Sequence, residues 1–366
     1  MDRCVTCSNG RVWTDALFHC RGVHVCCHVH RPGPLRRPSS VPKTRPGTKN
    51  ASSEWAHRSI SEARLMRILV AGTQRSGSTW TSRVLGCAPN TRIVNEPDSF
   101  VSDLAAAPTV KELGYMPVLA PGDQAPEAYE RVWQFAFVGG WPWDRWRPAI
   151  ALGRQIRRLP SSVRDPFITS LMRATGRTRP RPEHVIVKSV NSCFSLEWIV
   201  GRFTPKVVVT VRNPMAVVSS WKDIGITAPY LATHPLLRER YIDAYGLPEP
   251  PASSADELEQ VAWGVGLQAF ALKLACDRHP EWLVVQHEAM CADPTNAFRA
   301  LYTDLGLTWI PAADRYLQSV NQPGEGFATS RVTQDAPHRW RSRLSRQEKT
   351  AVQRVLGQFP VALEPA

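Results

Sequence analysis

The sequence predicts an α/β fold of three layers, in which helices cover both faces of a central, mostly parallel sheet. Short runs rich in β-branched residues recur near positions 67, 92, 184, 206 and 282. Stretches with helical periodicity lie between them, and this alternation is typical of parallel sheets. A chain of 366 residues is long enough for one large domain of this kind with additional segments, or for two smaller domains.

The first 65 residues differ in composition from the rest of the chain. They hold five of the nine cysteines, and their eleven Lys or Arg against four Asp or Glu supply more than half of the net charge of +13. Residues 31–50 are rich in Pro, Arg and Ser without apolar periodicity, which is typical of disorder. We predict that residues 1–65 are a disordered tail or a spurious extension upstream of Met66. A targeting segment or a zinc site built around Cys4-x-x-Cys7 remains an alternative.

Composition also narrows the class of protein. The part after residue 65 is only moderately basic, which favours an anionic small cofactor over a nucleic-acid partner. No run of about 18 apolar residues exists and no apolar leader opens the chain, so we expect neither a transmembrane helix nor a signal peptide. The four later cysteines share no spacing that indicates disulfides or metal, which is typical of a cytoplasmic protein. The oligomeric state is not indicated.

The first predicted strand leads into a glycine-bounded loop. Ile68–Ala71 is a short apolar run, Gly72 interrupts it, and a helix is predicted from Ser78 onward. Strand, loop and helix in this order bring backbone N–H groups and a helix N-terminus to one point, which is how proteins hold a phosphate. We therefore predict an anion-binding loop, and with it a P-loop-like fold.

The spacing of the loop departs from a nucleoside-triphosphate loop at one position. Gly72, Gly77 and Thr79 fit the pattern Gly-x-x-x-x-Gly-Lys-Ser/Thr, but Ser78 stands where the lysine should be. That lysine reaches the β- and γ-phosphates, so its loss argues against ATP chemistry. The positive charge lies instead at Arg75, whose planar guanidinium can bind two oxyanion oxygens.

Three further residues follow predicted strands. Glu96, Lys188 and Arg212 each stand at the carboxyl end of a strand, the edge at which open α/β sheets bind ligands. Ser220 lies eight residues after Arg212 on the helix that Pro214 opens, close enough to hold the same anion. Glu96 could equally be a solvated loop residue, and Arg212 could belong to a surface salt bridge.

Residues 100–183 are predicted to be a helical insertion. Helical patterns cover Glu127–Phe137 and Arg145–Leu159, and three tryptophans lie close together at Trp141, Trp143 and Trp146. Such a cluster can line an acceptor pocket or contact a membrane surface, and it can also be ordinary core and rim.

Taken together, the motifs resemble those of the sulfotransferases that use 3′-phosphoadenosine 5′-phosphosulfate (PAPS). The resemblance covers roughly residues 66–345. The segment Gln74–Trp80 is similar to the family's 5′-phosphosulfate loop. The segment Val211–Trp221, with Arg212 and Ser220 at the family's spacing, is similar to its 3′-phosphate motif.

The resemblance implies a function for the individual residues. It implies that Arg75 and the loop backbone hold the 5′-phosphosulfate, that Lys188 neutralises charge on the leaving phosphate, and that Trp80 lies near the adenine. The cofactor-binding residues would be Arg75, Ser76, Gly77, Ser78, Thr79, Trp80, Arg212, Ser220 and, in a basic C-terminal segment, Arg331. The acceptor would be a hydroxyl of a small molecule, glycan or lipid, and no metal would be required.

The general base is where the sequence departs from the cytosolic members of the family. They use a histidine shortly after the strand-end lysine, and this chain has Asn191 there. Members that act on protein tyrosines use a glutamate at the position of Glu96. We therefore expect Lys188, Glu96 and Arg75 to be the catalytic residues, with Glu96 as the base.

Two other functions are compatible with the same motifs. A P-loop kinase with a degenerate loop would need a phosphate-binding lysine, which position 78 does not supply. A non-catalytic protein that only binds PAPS would need neither Lys188 nor Glu96. Turnover without magnesium would exclude the kinase, and a sulfated product would exclude the binding protein.

Overall fold

The computed structural model describes residues 65–100, 102–140, 156, 158–174, 182–252, 254–326, 330 and 332–361. The predictions for the segment 1–64, for the three clustered tryptophans and for Arg331 lie outside these residues. Nearly all of the predicted helix at 145–159 also lies outside them.

Five parallel strands form one sheet in the order β2-β3-β1-β4-β5. The strands are β1 (Met66–Gly72), β2 (Thr91–Asn95), β3 (His184–Ser189), β4 (Lys206–Val211) and β5 (Leu283–Gln286). Strand β1 lies at the centre, with Val70 opposite Lys188 on one side and Val208 on the other. Because every pair is parallel, the carboxyl ends of all five strands meet at one edge of the sheet.

Both faces of the sheet are buried at its three central strands, β3, β1 and β4. Ile68 and Val70 pack into one hydrophobic cluster, and Leu69 and Ala71 pack into another on the opposite face, all four fully buried. Side chains alternate between the two faces of a strand, so a strand covered on both sides consists of a continuous apolar run. The three-layer α/β fold predicted from these runs is confirmed.

The layers on the two faces are made of helices. In the described part of the chain these are α1 (Ser78–Leu85), α2 (Ala107–Leu113), α3 (Glu127–Ala136), α4 (Ser161–Ala174), α5 (Leu196–Phe203), α6 (Pro214–Ile224), α7 (Pro229–Thr233), α8 (Pro235–Leu237), α9 (Glu257–Arg278), α10 (His287–Ala292), α11 (Pro294–Leu305), α12 (Pro311–Val320), α13 (Trp340–Arg343) and α14 (Arg346–Leu356). A 3₁₀ turn (Leu104–Ala106) and a π-helical segment (Arg238–Asp243) complete the elements.

The helix that follows β4 illustrates how the sequence fixes an element boundary. Asn213 caps α6, because its side-chain oxygen accepts a hydrogen bond of 2.8 Å from the backbone N–H of Met215. Pro214 occupies the first helical position, where no N–H is required. The chain therefore turns sharply at the end of β4, and the first residue after the strand, Arg212, stays at the sheet edge.

The insertion between β2 and β3 carries α2, α3 and α4, and its described residues contain no strand. Helix α3 begins at Glu127 as the periodicity predicts. Among the described residues, no helix is long and apolar enough to cross a membrane.

Candidate active site

The loop between β1 and α1 is enclosed on both sides. A side chain at Gly72 would collide with Thr210 of β4, and Gly77 has a positive φ of 98°, a conformation that favours glycine. A Cβ atom at Gly77 would also lie 2.7 Å from Nδ1 of His287. Both glycines are therefore required by close packing, in agreement with the loop that their spacing predicts.

Hydrogen bonds tie the loop to β4 and α6. The hydroxyls of Ser76 and Thr210 lie 2.7 Å apart, and Thr210 also donates to the carbonyl of Ala71 at 3.1 Å. The indole N–H of Trp221 donates to the carbonyl of Gln74 at 3.0 Å. These contacts fix the loop without using its own backbone N–H groups at Gly77 and Ser78.

Arg75 has left-handed backbone geometry, with φ of 72°. Such a conformation is costly for a residue with a side chain and is concentrated at functional sites. Its Nε donates to Oγ of Ser220 at 2.9 Å, and one terminal nitrogen donates to the carbonyl of Gly326 at 2.9 Å. Burial, and secondly the nearby Arg212, lower the pKa of Arg75.

Arg212 lies against the same loop. One terminal nitrogen donates to the carbonyl of Arg75 at 3.0 Å, and the other donates to the carbonyl of Ala336 at 3.0 Å. We call Arg75, Arg212 and Ser220 the arginine cluster. The two positively charged guanidinium groups lie close together there. Each donates a hydrogen bond to a backbone carbonyl in the C-terminal part of the chain, Arg75 to that of Gly326 and Arg212 to that of Ala336. An anion placed in this cluster could replace those carbonyl oxygens as the acceptor.

Lys188 and Glu96 form a second group, which we call the strand-end pair. Nζ of Lys188 donates to Oε1 of Glu96, and Oγ of Ser102 donates to Oε2 of Glu96 at 2.8 Å. The side chain of Lys188 is 3% exposed and that of Glu96 is 22% exposed. The carboxylate of Glu96 is thus the more exposed member of the pair.

The backbone also joins the two strand ends. The N–H of Glu96 donates to the carbonyl of Lys188 at 2.6 Å, which extends the pairing of β2 with β3 by one residue. Glu96 has a positive φ of 49°, so the chain turns immediately after this bond. The turn brings its carboxylate back over the lysine.

Asp98 is a buried carboxyl that the sequence does not single out. It is 2% exposed, and its Oδ2 accepts a hydrogen bond of 2.7 Å from Oγ of Ser189. Burial raises its pKa to about 7, and the charge of Glu96 adds to this shift, whereas the bond from Ser189 and the charge of Lys188 oppose it. An aspartate that directly follows Glu96-Pro97 normally indicates a solvated turn, so only the fold reveals its burial.

Arg75 and Trp80, two residues of the predicted set, each contact other protein residues at the sheet edge. The guanidinium of Arg75 bonds to Ser220, a residue expected at the 3′-phosphate, although Arg75 itself is expected at the 5′-phosphosulfate. Trp80 is 9% exposed and packs edge-to-face on Phe298, with ring centroids 4.9 Å apart. Its position near an adenine stays a prediction.

The remaining loop residues and neighbours complete the site. Ser76 and Ser78 are buried, and α1 begins at Ser78. Asn191 stands at the position where cytosolic members of the family carry a histidine base, and its backbone N–H donates to Oγ of Ser189 at 3.1 Å. A carboxylate oxygen of Glu288 accepts from the backbone N–H of Asn213 at 3.0 Å.

His287 is the histidine that packs against the loop, next to Gly77 and Trp80. Burial, and secondly the charge of Arg212, hold its pKa well below the usual value. Within the described ranges, no group of three or more His, Cys, Asp or Glu side chains is arranged to bind a metal ion.

Comparison with known proteins gives one family. The model of the sulfotransferase family matches residues 67–311. No curated protein matches the chain.

Several solved structures are similar to the chain at low identity. A sulfotransferase domain from the curacin biosynthetic pathway is 13% identical, with 81% of this chain and 99% of that chain covered and a TM-score of 0.40. Sulfotransferase STF9 from Mycobacterium avium is 14% identical, with 82% and 79% covered and a TM-score of 0.37. Mouse sulfotransferase SULT7A1, complexed with PAP, is 12% identical, with 79% and 82% covered and a TM-score of 0.36.

Proposed function

The chain belongs to the sulfotransferase family, since the family model spans residues 67–311, and from this premise we propose that it transfers a sulfuryl group from PAPS to a hydroxyl. The observation that carries the proposal is that two different sites share one sheet edge. The arginine cluster is suited to the phosphates of the donor. The strand-end pair is suited to the transfer itself.

The arginine cluster supports a 3′-phosphorylated nucleotide as the donor. Arg75 belongs to the loop after β1. Arg212 follows β4 and Ser220 lies on α6, both within the segment that resembles the 3′-phosphate motif. The hydrogen bonds from Arg75 to Ser220 and from Arg212 to the carbonyl of Arg75 therefore join this segment directly to the loop. A guanidinium binds phosphate with paired, charge-assisted hydrogen bonds. A donor that carries phosphates at both the 5′ and the 3′ position would use the loop and the cluster together.

The strand-end pair supports in-line transfer with acid–base assistance. The acceptor oxygen would attack the sulfur while the bond from sulfur to the bridging oxygen of the donor breaks, and 3′-phosphoadenosine 5′-phosphate (PAP) would leave. Glu96 would take the proton of the acceptor hydroxyl. Lys188 has three N–H donors, so it can keep its bond to Glu96 and donate another to the bridging oxygen as negative charge develops there.

The finer assignments follow from the same proposal. The catalytic domain would be residues 66–366, and the helical insertion around 100–183 would face a small-molecule, glycan or lipid acceptor. Cys87, Cys193, Cys276 and Cys291 are free thiols, which supports a reducing compartment such as the cytoplasm.

Transfer of a sulfur label tests the proposal. The purified protein is incubated with ³⁵S-labelled PAPS and an extract of small molecules, glycans and lipids, with EDTA present. We expect a labelled acceptor and stoichiometric PAP, because the proposed site needs no metal. A parallel reaction with γ-³²P-ATP and Mg²⁺ tests the kinase alternative. Label transfer from ATP alone would contradict the proposal, and PAP binding without any labelled product would indicate a non-catalytic binding protein.

A further inference from the structure

A second carboxyl stands behind the strand-end pair. Asp98 follows Glu96 by two residues, in the turn that leaves β2, but its side chain is directed into the protein and is 2% exposed. Its Oδ2 accepts from Ser189, and its Oδ1 is buried without a hydrogen-bond partner. The transfer chemistry proposed above does not use this group.

Ser189 connects Asp98 to the other strand end. It directly follows Lys188 on β3, it is fully buried, and its Oγ donates to Asp98 at 2.7 Å while it accepts from the backbone N–H of Asn191 at 3.1 Å. The turn after β2 and the turn after β3 are thus joined by a side-chain bridge. This bridge runs beside the bond from the N–H of Glu96 to the carbonyl of Lys188.

The surroundings of Asp98 favour an uncharged carboxyl. The titratable groups that act on it are Glu96 from its own turn, Lys188 from β3, Tyr129 from α3 and Cys193 from the loop after β3. Burial raises the pKa of the Tyr129 hydroxyl, and it raises the pKa of the Cys193 thiol to about 12, so both are neutral at pH 7. Burial raises the pKa of Asp98 itself to about 7.

A neutral Asp98 matters for the charge of the site. With Asp98 protonated, the charges of Lys188 and Glu96 cancel, and the site can accept an anionic donor. With Asp98 ionised, the site carries a net negative charge, which opposes the charge that develops on the leaving phosphate. The carboxyl can still accept from Ser189 in either state, so the bridge does not require the charge.

We propose that Asp98 is a positioning residue, which holds Glu96 and Lys188 in their reactive arrangement through Ser189 and does so as an uncharged group. This inference rests on the proposed function of the strand-end pair. It assigns no contact between Asp98 and the substrates.

Four variants test the bridge, each assayed for kcat, for the Kd of PAP and for thermal stability. Asp98→Ala and Ser189→Ala are each expected to lower kcat about tenfold, with the Kd of PAP within twofold of wild type. The kcat of the double variant should be no lower than that of either single variant, because the effects of two residues that act through one bridge are not additive. Asp98→Asn keeps an oxygen that can accept from Ser189, and it should stay within about threefold of wild type at pH 6.5.

Tyr302→Phe is the matched control. It removes one buried hydroxyl that donates to the carbonyl of Val84 at 2.6 Å, on the opposite face of the sheet. We expect it to change stability and to leave kcat unchanged. If Asp98→Ala fails to fold, Asp98→Asn and Ser189→Ala alone decide the question.

A pH profile of kcat distinguishes the proposed role of Asp98, an uncharged carboxyl that positions Glu96 and Lys188, from a purely structural role of the same residue. Wild-type kcat should fall as pH rises through about 7, as Asp98 ionises, and Asp98→Asn should lack this fall. The inference is overturned by identical profiles, by additive losses in the double variant, or by an Asp98→Asn variant as impaired as Asp98→Ala. Failure of the proposed function is distinct, since wild type and Tyr302→Phe would then form no sulfated product at all.

Discussion

The arginine cluster and the strand-end pair lie at the same sheet edge and are built in opposite ways. The strand-end pair joins two neighbouring strands by a side-chain ion pair, a backbone bond and the Asp98–Ser189 bridge, and its lysine is nearly inaccessible. The arginine cluster joins distant segments of the chain, since Arg75 and Ser220 are 145 residues apart. Its guanidinium groups donate hydrogen bonds to the backbone carbonyls of Gly326 and Ala336.

This difference in construction implies a difference in function. A buried pair with fixed partners is suited to stabilising charge at one point, because its geometry is set before the substrates arrive. Guanidinium donors bonded to carbonyl oxygens can exchange these partners for phosphate oxygens, and a charged acceptor is the stronger partner. Substitutions in the strand-end pair should therefore affect turnover, and substitutions in the arginine cluster should affect nucleotide affinity.

The largest expected effect is that of Lys188→Ala. The loss of the donor to the leaving phosphate should reduce kcat on the order of 10³-fold, with the Kd of PAP within a few-fold of wild type. Steady-state rates and a PAP titration measure the two quantities. Lys206→Ala is the matched control, because its Nζ donates to the carbonyl of Leu305 from the residue that begins β4, at the opposite end of the sheet. A weaker Kd with unchanged kcat would reverse the assignment.

Glu96→Gln should reduce kcat about a hundredfold, because an amide cannot take the proton of the acceptor. The amide keeps the shape of the side chain, so the Kd of PAP should not change. Glu259→Gln, which removes the ion pair with Arg354 on the surface, is the control. Turnover of Glu96→Gln equal to wild type would exclude Glu96 as the base.

The burial of Asp98 predicts a pH dependence of stability. Its pKa is near its ordinary 3.8 in the unfolded chain and about 7 in the folded protein. Between these values the folded state holds a proton that the unfolded state has lost, so the stabilisation present at low pH is lost as pH rises toward 7.

Asp98→Asn has no such titration. The free energy of unfolding of wild type should fall relative to Asp98→Asn by up to about 1.4 kcal/mol per pH unit between pH 4 and 7. Urea unfolding at four or five pH values measures the difference. A constant difference across this range would mean that Asp98 is ionised in the folded protein.

The smallest expected effect is that of Ser220→Ala, which removes from the arginine cluster one neutral hydroxyl, the acceptor from Arg75 and the proposed donor to a phosphate oxygen. Affinity for PAP should fall about fivefold, corresponding to roughly 1 kcal/mol, and kcat should be unchanged. Ser342→Ala, which removes an exposed hydroxyl bonded within its own turn, is the control. An unchanged Kd would remove Ser220 from the nucleotide site.

The sequence was sufficient for the features that depend on local pattern. The β-branched runs of β1 and β4 predict buried parallel strands, and the spacing of Gly72 and Gly77 predicts the loop between β1 and α1. The positions of Lys188, Glu96 and Arg212 at strand ends follow from the same pattern, since parallel strands end at one edge.

The features that the sequence did not reveal depend on tertiary contacts. The partners of Arg75 and Arg212 in the C-terminal segment are backbone carbonyls, which no side-chain pattern marks. The burial of Asp98 results from packing around a turn that is polar in sequence. Short helices that begin with proline, such as Pro229–Thr233 and Pro311–Val320, carry the residue that otherwise indicates a loop.

The central claim, that nucleotide binding and transfer are divided between the two groups, is tested most directly by a titration of PAP against three variants in one buffer. We expect Arg212→Ala to weaken binding by about 2–3 kcal/mol, or roughly 30- to 150-fold, because a charge-assisted contact is lost. Glu96→Gln should bind as wild type does. Arg299→Ala, which removes an equal charge paired with Asp314 at the surface, should also bind normally. Equal affinities for wild type and Arg212→Ala would contradict the account.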